Sequence, residues 1–280
     1  MKKETKNFLG ILVIVLLICL IVTVINNKDG TNSKEVKIAK NFISELSKEK
    51  IIQSDYKENT DFKVTIKDDK ENDKKIYELD NETFMVKINE NYEVINFVDK
   101  IKSSNIKSIS EEEAIKIAKK YIKEIDDSDY KFDKVIEQTR KDSVSYYSIS
   151  FKRYDEGYPY FSSDVILNID KSNGKLEGYL NNSGKTKHGK VNIKISEDEA
   201  KEKCLKAFNS MLKDGKVIDK VYLAYGESRE NLENLELSYI VNVKGKLETG
   251  EEKQFTYFVS ASSGEIINSF SNRVEEIKSK

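Results

Sequence analysis

A capping box followed by an apolar helical stripe occurs twice in this 280-residue chain, 86 residues apart, and that recurrence constrains the fold more than any other feature. Ser110 stands before EEEAIKIAKKYIKEI with Glu113 three residues on. In such a pair each side chain satisfies the other residue's orphan backbone amide. Ala114, Ile117, Ala118, Tyr121, Ile122 and Ile125 then fall on one helical face. Adding 86 gives Ala200, Lys203, Cys204, Ala207, Phe208 and Met211, with Ser196 and Glu199 repeating the box. Subtracting 79 gives Glu35, Ile38, Ala39, Phe42, Ile43 and Leu46, apolar at five of six positions. The spacing predicts three helices, and it makes Cys204 a core residue rather than a reactive thiol.

Each helix is followed by residues that alternate with period two. Tyr147, Ile149 and Phe151 alternate with Ser148 and Ser150, and Leu237, Tyr239, Val241 and Val243 do the same later. Each stretch closes on a predicted hairpin: VILNID-KSNG-KLEGYL with Gly174 in the turn, FTYFVS-ASSG-EIINSF with Gly264, and TFMVKI-NEN-YEVINF, where Asn89 and Asn91 stand in for glycine. The expected fold class is α+β: tandem units, each a helix packed on a small antiparallel sheet. The expected organisation is a cytoplasmic N-terminus (1–7), a transmembrane anchor (8–25), a linker (26–33), units at 34–104, 105–189 and 190–275, and a tail (276–280).

Residues 8–25, FLGILVIVLLICLIVTVI, carry no charge. At ~1.5 Å per residue they span about 27 Å, close to the hydrocarbon thickness of a bilayer. Lys2, Lys3 and Lys6 outweigh Glu4 ahead of the run, which places the N-terminus in the cytoplasm and the remainder outside. A cleaved signal peptide would end on small residues in an A-x-A-like pattern, whereas this run ends Thr23-Val24-Ile25-Asn26-Asn27. A lipoprotein would have a small residue before its cysteine, but Cys19 follows Ile18 in mid-run. A buried core helix is the remaining alternative; the apolar character on every face and the Lys and Asn flanks favour an uncleaved signal anchor in the cell membrane.

The rest of the composition mostly excludes. Forty-eight basic against 49 acidic side chains leave a net charge of -1, without the basic field that nucleic-acid binding needs. One histidine rules out an intramolecular zinc site built on several imidazoles, and two cysteines rule out a disulfide scaffold. Asp170, Ser172 and Gly174 hint at a calcium loop, but Gly falls at loop position five and position twelve is Asn181, so a hairpin turn is the better reading. Gly184-Lys185-Thr186 lacks the earlier glycine of a phosphate loop, since Tyr179 occupies that position. His188, in NNSGKTKHGK, reads as an exposed linker residue; there is neither a G-x-S-x-G elbow nor an H-E-x-x-H motif. Paired carboxylates are numerous, although Glu111-Glu112-Glu113 and Asp126-Asp127 sit where helix ends ordinarily carry acid. No cofactor or metal ligand set emerges.

The most individual stretch is FKRYDEGYPYFSSD, residues 151–164, which holds the single proline. Arg153, Tyr154, Tyr158, Pro159, Tyr160 and Phe161 form the candidate partner-binding set, read as an aromatic loop between strands. The alternative is a connection whose aromatics pack over the neighbouring sheet.

S-E-E-E-A at 110–114, then Phe151, Arg153, Gly157 and Pro159, then V-x-L-x-I-D-x-x-x-G-K-L at 165–176 resemble the YcdB/YcdC repeated domain, a relative of the PepSY domain. Leu223-Ala224-Tyr225, residues 237–243 and residues 257–266 resemble the partner half of that repeat, and the resemblance covers residues 105–273. The first stretch matches only in its helix stripe and final hairpin. The resemblance implies a module akin to the propeptides of secreted metallopeptidases, associated with inhibiting or chaperoning peptidases and with cell-surface proteins. It carries over no catalytic residue, and Ser260 stands where the family pattern has an acid in the last strand. The expectation is therefore a non-enzymatic binding or regulatory module, with a cell-envelope peptidase or wall hydrolase as partner. A surface spacer and a carboxylate-dependent hydrolase are the alternatives from other classes.

Overall fold

The structure is a computed structural model that describes residues 33–69, 74–102, 108–137, 145–183, 187–229 and 234–272. The predicted anchor at 8–25, Cys19 and Gly184-Lys185-Thr186 lie outside the described residues. Among the described residues no helix is long and apolar enough to cross a membrane.

The fold is α+β, with three helices and fourteen strands among the described residues. These fall into two compact units: residues Met1–Ile106 with Lys175–Tyr179, and Lys107–Gly174 with Leu180–Lys280. In the first unit, helix α1 (Lys34–Lys48) lies against an antiparallel meander of β1 (Lys63–Asp69), β2 (Lys74–Asp80), β3 (Phe84–Asn89) and β4 (Val94–Asp99). Val36, Ala39, Ile43 and Leu46 are its buried stripe, and Phe42 meets Phe97 edge to face with ring centres 5.7 Å apart. The buried Asp99 is fully engaged: its carboxylate accepts the amides of Gln53, Ser54 and Ile101 and the Ser54 hydroxyl.

The turn between β3 and β4 departs from expectation. Neither Asn89 nor Asn91 takes the left-handed backbone; Tyr92 does, at φ 62°. Asn89 shapes the turn through its side chain instead, its amide oxygen accepting from the backbone of Asn91 and Glu93. Tyr92 is held by stacking on Tyr77 at 5.9 Å and by Lys34 Nζ 3.6 Å above its ring.

In the second unit both capping boxes form as the sequence predicts, at the starts of α2 (Glu111–Ile125) and α3 (Glu197–Asn209). Its strands are β5 (Asp129–Ile136), β6 (Tyr146–Asp155), β7 (Tyr158–Asp170), β9 (Lys187–His188), β10 (Lys213–Val217), β11 (Tyr222–Glu227), β12 (Asn234–Lys246), β13 (Glu252–Ser260) and β14 (Ile266–Asn272). Strand β8 (Leu176–Asn181) begins in the segment assigned to the first unit. The order in the second unit is β5-β6-β7-β11-β12-β13-β14, with β9 and β10 also pairing β12. The strands of the second and third stretches thus share one sheet, not two small antiparallel ones. The join is parallel, Tyr225 against Tyr160, and β9 also runs parallel to β12. The reason is length: the 13-residue β7 carries an edge at its leading half that β11 can pair.

The stripe of α3 ends earlier than its spacing suggests. Ala200, Cys204 and Phe208 are buried, but Met211 lies past the helix end and is 62% exposed, while Leu212 packs on the core. Burial pushes the Cys204 thiol up to about 12, so it stays protonated and inert at neutral pH. Phe208 lies so close to Gly245 that a Cβ there would strike its ring. The period-two pattern also understates burial: Ser148, Ser150, Ser238 and Ile240 are buried too, because both sheet faces carry side chains. A second, smaller cluster of Ala224, Ile240 and Phe258, with Phe161 and Ile267, forms apart from the main core under α3.

Candidate functional site

Residues 151–164 are a β-hairpin and not a loop. Asp155 pairs with Tyr158 across a two-residue turn, and Glu156 and Gly157 both have positive φ, 46° and 87°. That is the geometry whose twist matches the flanking strands, and glycine supplies half of it without steric cost. Alternation along β7 then separates the aromatics. Tyr158 and Tyr160 point one way and Phe161 the other.

On the first side, Tyr160 is 1% exposed and meets Tyr225 of β11 with ring centres 5.0 Å apart, while Arg153 lies 4.7 Å over its ring. Tyr158 meets Tyr225 edge to face at 6.4 Å. His188 completes the group, its ring 4.1 Å from Tyr225 at 30° and 5.9 Å from Tyr160. Its Nε2 is 3.0 Å from Asp155 Oδ2, which also accepts the Tyr160 hydroxyl at 3.4 Å. On the other side Phe161 meets Phe258 at 4.7 Å and Phe270 at 6.0 Å. Tyr154 lies beneath Lys131 Nζ at 4.0 Å, and Pro159 pairs with Tyr154 across the hairpin.

The candidate set therefore does not form one patch. Arg153, Tyr158 and Tyr160 converge, while Tyr154 and Phe161 do not join them. His188 is no exposed linker residue: its side chain is 14% exposed, because β9 adds to β12 opposite Leu235 and presses the ring on Tyr225. Sequence reasoning missed Asp155, His188 and Tyr225 as partners. The available signal was the single histidine, but a two-residue strand inside a Gly- and Lys-rich segment has no periodicity to read.

The electrostatics are those of an ion pair at the surface, with His188 largely covered and Asp155 exposed. The hydrogen bond from His188, then the Glu156 amide and the charges of His188 and Arg153, outweigh burial and hold Asp155 below the usual carboxylate range. Burial lowers the affinity of His188 for its proton, but the bonds to Asp155 and to the Gly189 carbonyl, with the Asp155 and Glu156 charges, leave it above its ordinary value. The Tyr225 phenol is driven up by burial and then by Glu156 and Asp155, and its hydroxyl has no hydrogen-bond partner among the described residues. A carboxylate, not a hydroxyl or thiol, faces His188 Nε2, so the group orders a hairpin without presenting a nucleophile to a base.

The other candidate motifs have structural uses. Asp170 Oδ1 accepts the amide and hydroxyl of Ser172 at 2.6 Å each, which spends the calcium-loop acid on its own turn. Asp126 accepts the Ser128 amide and the Tyr130 hydroxyl just past α2. Among the described residues no cluster of three or more His, Cys, Asp or Glu side chains could hold a metal ion.

Comparison with known proteins adds a family likeness. Residues 194–270, from just before α3 into β14, match the PepSY family, described as "Peptidase propeptide and YPEB domain". The segment is PepSY-like, and Tyr225 lies inside it while His188 and the hairpin tip lie outside. Propeptide-type modules of this sort are generally non-catalytic. A solved structure, the Bacillus megaterium YpeB C-terminal domain, is similar at 18% identity and a TM-score of 0.45, over 85% of this chain and 97% of that one. No curated protein matches.

Proposed function

We propose that the chain is a membrane-anchored, extracytoplasmic binding or regulatory module, without catalysis of its own, that restrains or chaperones a cell-envelope peptidase or wall hydrolase. The PepSY match at 194–270 carries this reading, because that family is described by peptidase propeptides. The uncharged run at 8–25 supports the anchor, Lys2, Lys3 and Lys6 ahead of it support the orientation, and the motifs at 110–114 and 151–176 support a YcdB/YcdC-type repeat in the second stretch.

The contact surface we assign is the tip of the β6–β7 hairpin. Asp155, Glu156 and Gly157 are exposed there, with Arg153, Tyr154, Tyr158 and Pro159 half-buried beside them. Tyr160 and Phe161 then serve as anchors that hold the hairpin on the two sheet faces, rather than as contacts.

A photo-crosslinking residue at Glu156 of the full chain in intact membranes tests the assignment. The expected product joins the chain to a peptidase or wall hydrolase whose turnover changes when the purified chain is added. A partner of that class crosslinked from Glu156 but unaffected in turnover sinks the regulatory reading. Turnover of peptides or wall fragments by the purified chain alone sinks the non-enzymatic one.

A further inference from the structure

His188 lies between two oxygens that a neutral imidazole cannot both serve. Nε2 is 3.0 Å from the Asp155 carboxylate and Nδ1 is 2.8 Å from the Gly189 carbonyl oxygen. Both oxygens are acceptors, and only the imidazolium carries a proton on each ring nitrogen. A neutral ring turns a lone pair toward one of them. The contact to Asp155 joins separate parts of the second unit, the hairpin tip and the short strand on β12, whereas the contact to Gly189 is local to His188 itself.

We propose that His188 and Asp155 form a proton-operated latch, which holds the β6–β7 hairpin tip to β9 most tightly while His188 is protonated and loosens it when the ring is neutral and the charge attraction is lost. This inference stands apart from the proposed partner class. Around the ring the hairpin contributes the Asp155 and Glu156 carboxylates, the Arg153 guanidinium and the phenols of Tyr158 and Tyr160. Strand β11 contributes Tyr225 against the ring and Glu227, which lies opposite Leu235. On β12 the residue beside His188 is Leu235, and its neighbour Glu236 is engaged by the hydroxyls of Ser260 and Ser262. Lys187 and Lys190 flank the ring in sequence.

The sign follows from the two partners. A histidine raised in the folded state contributes stability that is full below its unfolded value and is lost as pH rises through the folded one. A depressed carboxylate contributes stability above its unfolded value, lost only as pH falls through its folded one. The latch is therefore tightest under mildly acidic conditions and loosens on the alkaline side of the imidazole range.

His188 is the single histidine of the chain, so the full-length protein in detergent micelles gives one imidazole Cε1–H signal. That signal is expected to titrate above 6.5, the ordinary value. Asp155→Asn is expected to lower its proton affinity, and with it the midpoint, because the hydrogen bond and charge of Asp155 both favour the imidazolium. The Gly157 and Gly189 amide signals are expected to move with the same midpoint. Titration at or below the ordinary value in the unaltered chain overturns the latch without reference to any variant. So does a midpoint unmoved by Asp155→Asn, or glycine amides that ignore it.

Discussion

The turns at residues 170–174 and 260–264 close with the same backbone and different side-chain chemistry. In each, a glycine with φ near 75° donates its amide to the carbonyl four residues back, Gly174 to Asp170 and Gly264 to Ser260, both at 2.9 Å. In each, the isoleucine before the helix cap binds the residue after the strand, Ile109 to Lys171 and Ile195 to Ala261. A tyrosine hydroxyl also reaches that isoleucine's carbonyl, Tyr147 in one case and Tyr239 in the other. The acid differs. Asp170 caps its own turn, whereas Ser260 accepts the amides of Ser262 and Ser263 and donates its own hydroxyl hydrogen to Glu236 on β12. One turn is self-contained and the other borrows a carboxylate from the neighbouring strand. The carboxylate that Asp170 supplies from within its own turn reaches Ser260 from the neighbouring strand instead.

The most severe way to break this comparison is to supply both acids at once. Ser260 is fully buried, and Ser260→Asp would set a second carboxylate against Glu236. An uncompensated buried charge costs about 3–5 kcal/mol. Urea unfolding of the full chain, followed by circular dichroism, should show a loss of that size. Adding Glu236→Gln should recover at least half, since the introduced aspartate could then cap its turn as Asp170 does. A double variant no more stable than the single one would mean that the two turns are not interchangeable.

Glycine gives a smaller and graded test. Either Gly→Ala change places alanine in the left-handed region, at roughly 1–2 kcal/mol. At Gly174 the new Cβ would also lie 2.8 Å from Ile117 Cδ1, a packed side chain of α2. At Gly264 it meets the mobile end of Lys203, with Ile195 at 3.2 Å. Overpacking adds about 1–3 kcal/mol where the neighbour cannot yield, so Gly174→Ala should cost about 2–5 kcal/mol and Gly264→Ala about 1–2 kcal/mol. Equal midpoints in urea would show that Ile117 yields as freely as Lys203.

What was legible in the sequence was what closes within a few residues. Ser110 with Glu113, Ser196 with Glu199 and the glycines at 174 and 264 act on their own turn, so spacing reveals them. The stripe through Cys204 and Phe208 was equally plain, although Met211 fell beyond the helix end. Pairing across long intervals left no local trace. Tyr160 meets Tyr225 only because β11 adds in parallel to β7, and His188 reaches Asp155 from 33 residues away. The six candidate residues fall on one hairpin, but strand alternation divides them between two faces. The Glu236 carboxylate is 24 residues from Ser260 and resembles any surface acid until β12 lies beside β13.

The smallest effects locate the borrowed acid most directly. Ser172→Ala removes one hydroxyl bond to Asp170, and Ser262→Ala removes one to Glu236 at 3.0 Å. Each should cost about 0.5–1.5 kcal/mol, the usual net value of a hydrogen bond. Their magnitudes will not separate the turns, but their couplings will. Combined with Glu236→Ala, the Ser262→Ala change should lose most of its effect, because the acceptor is already gone, while Ser172→Ala should keep all of it. Combined with Asp170→Ala the pattern should reverse. Coupling of Ser262 to an acid on another strand, and of Ser172 to the acid two residues away, would separate local capping from capping by a neighbour. Full additivity in all four pairs would mean that neither carboxylate holds its turn through these hydroxyls, and that the backbone bonds of Gly174 and Gly264 suffice.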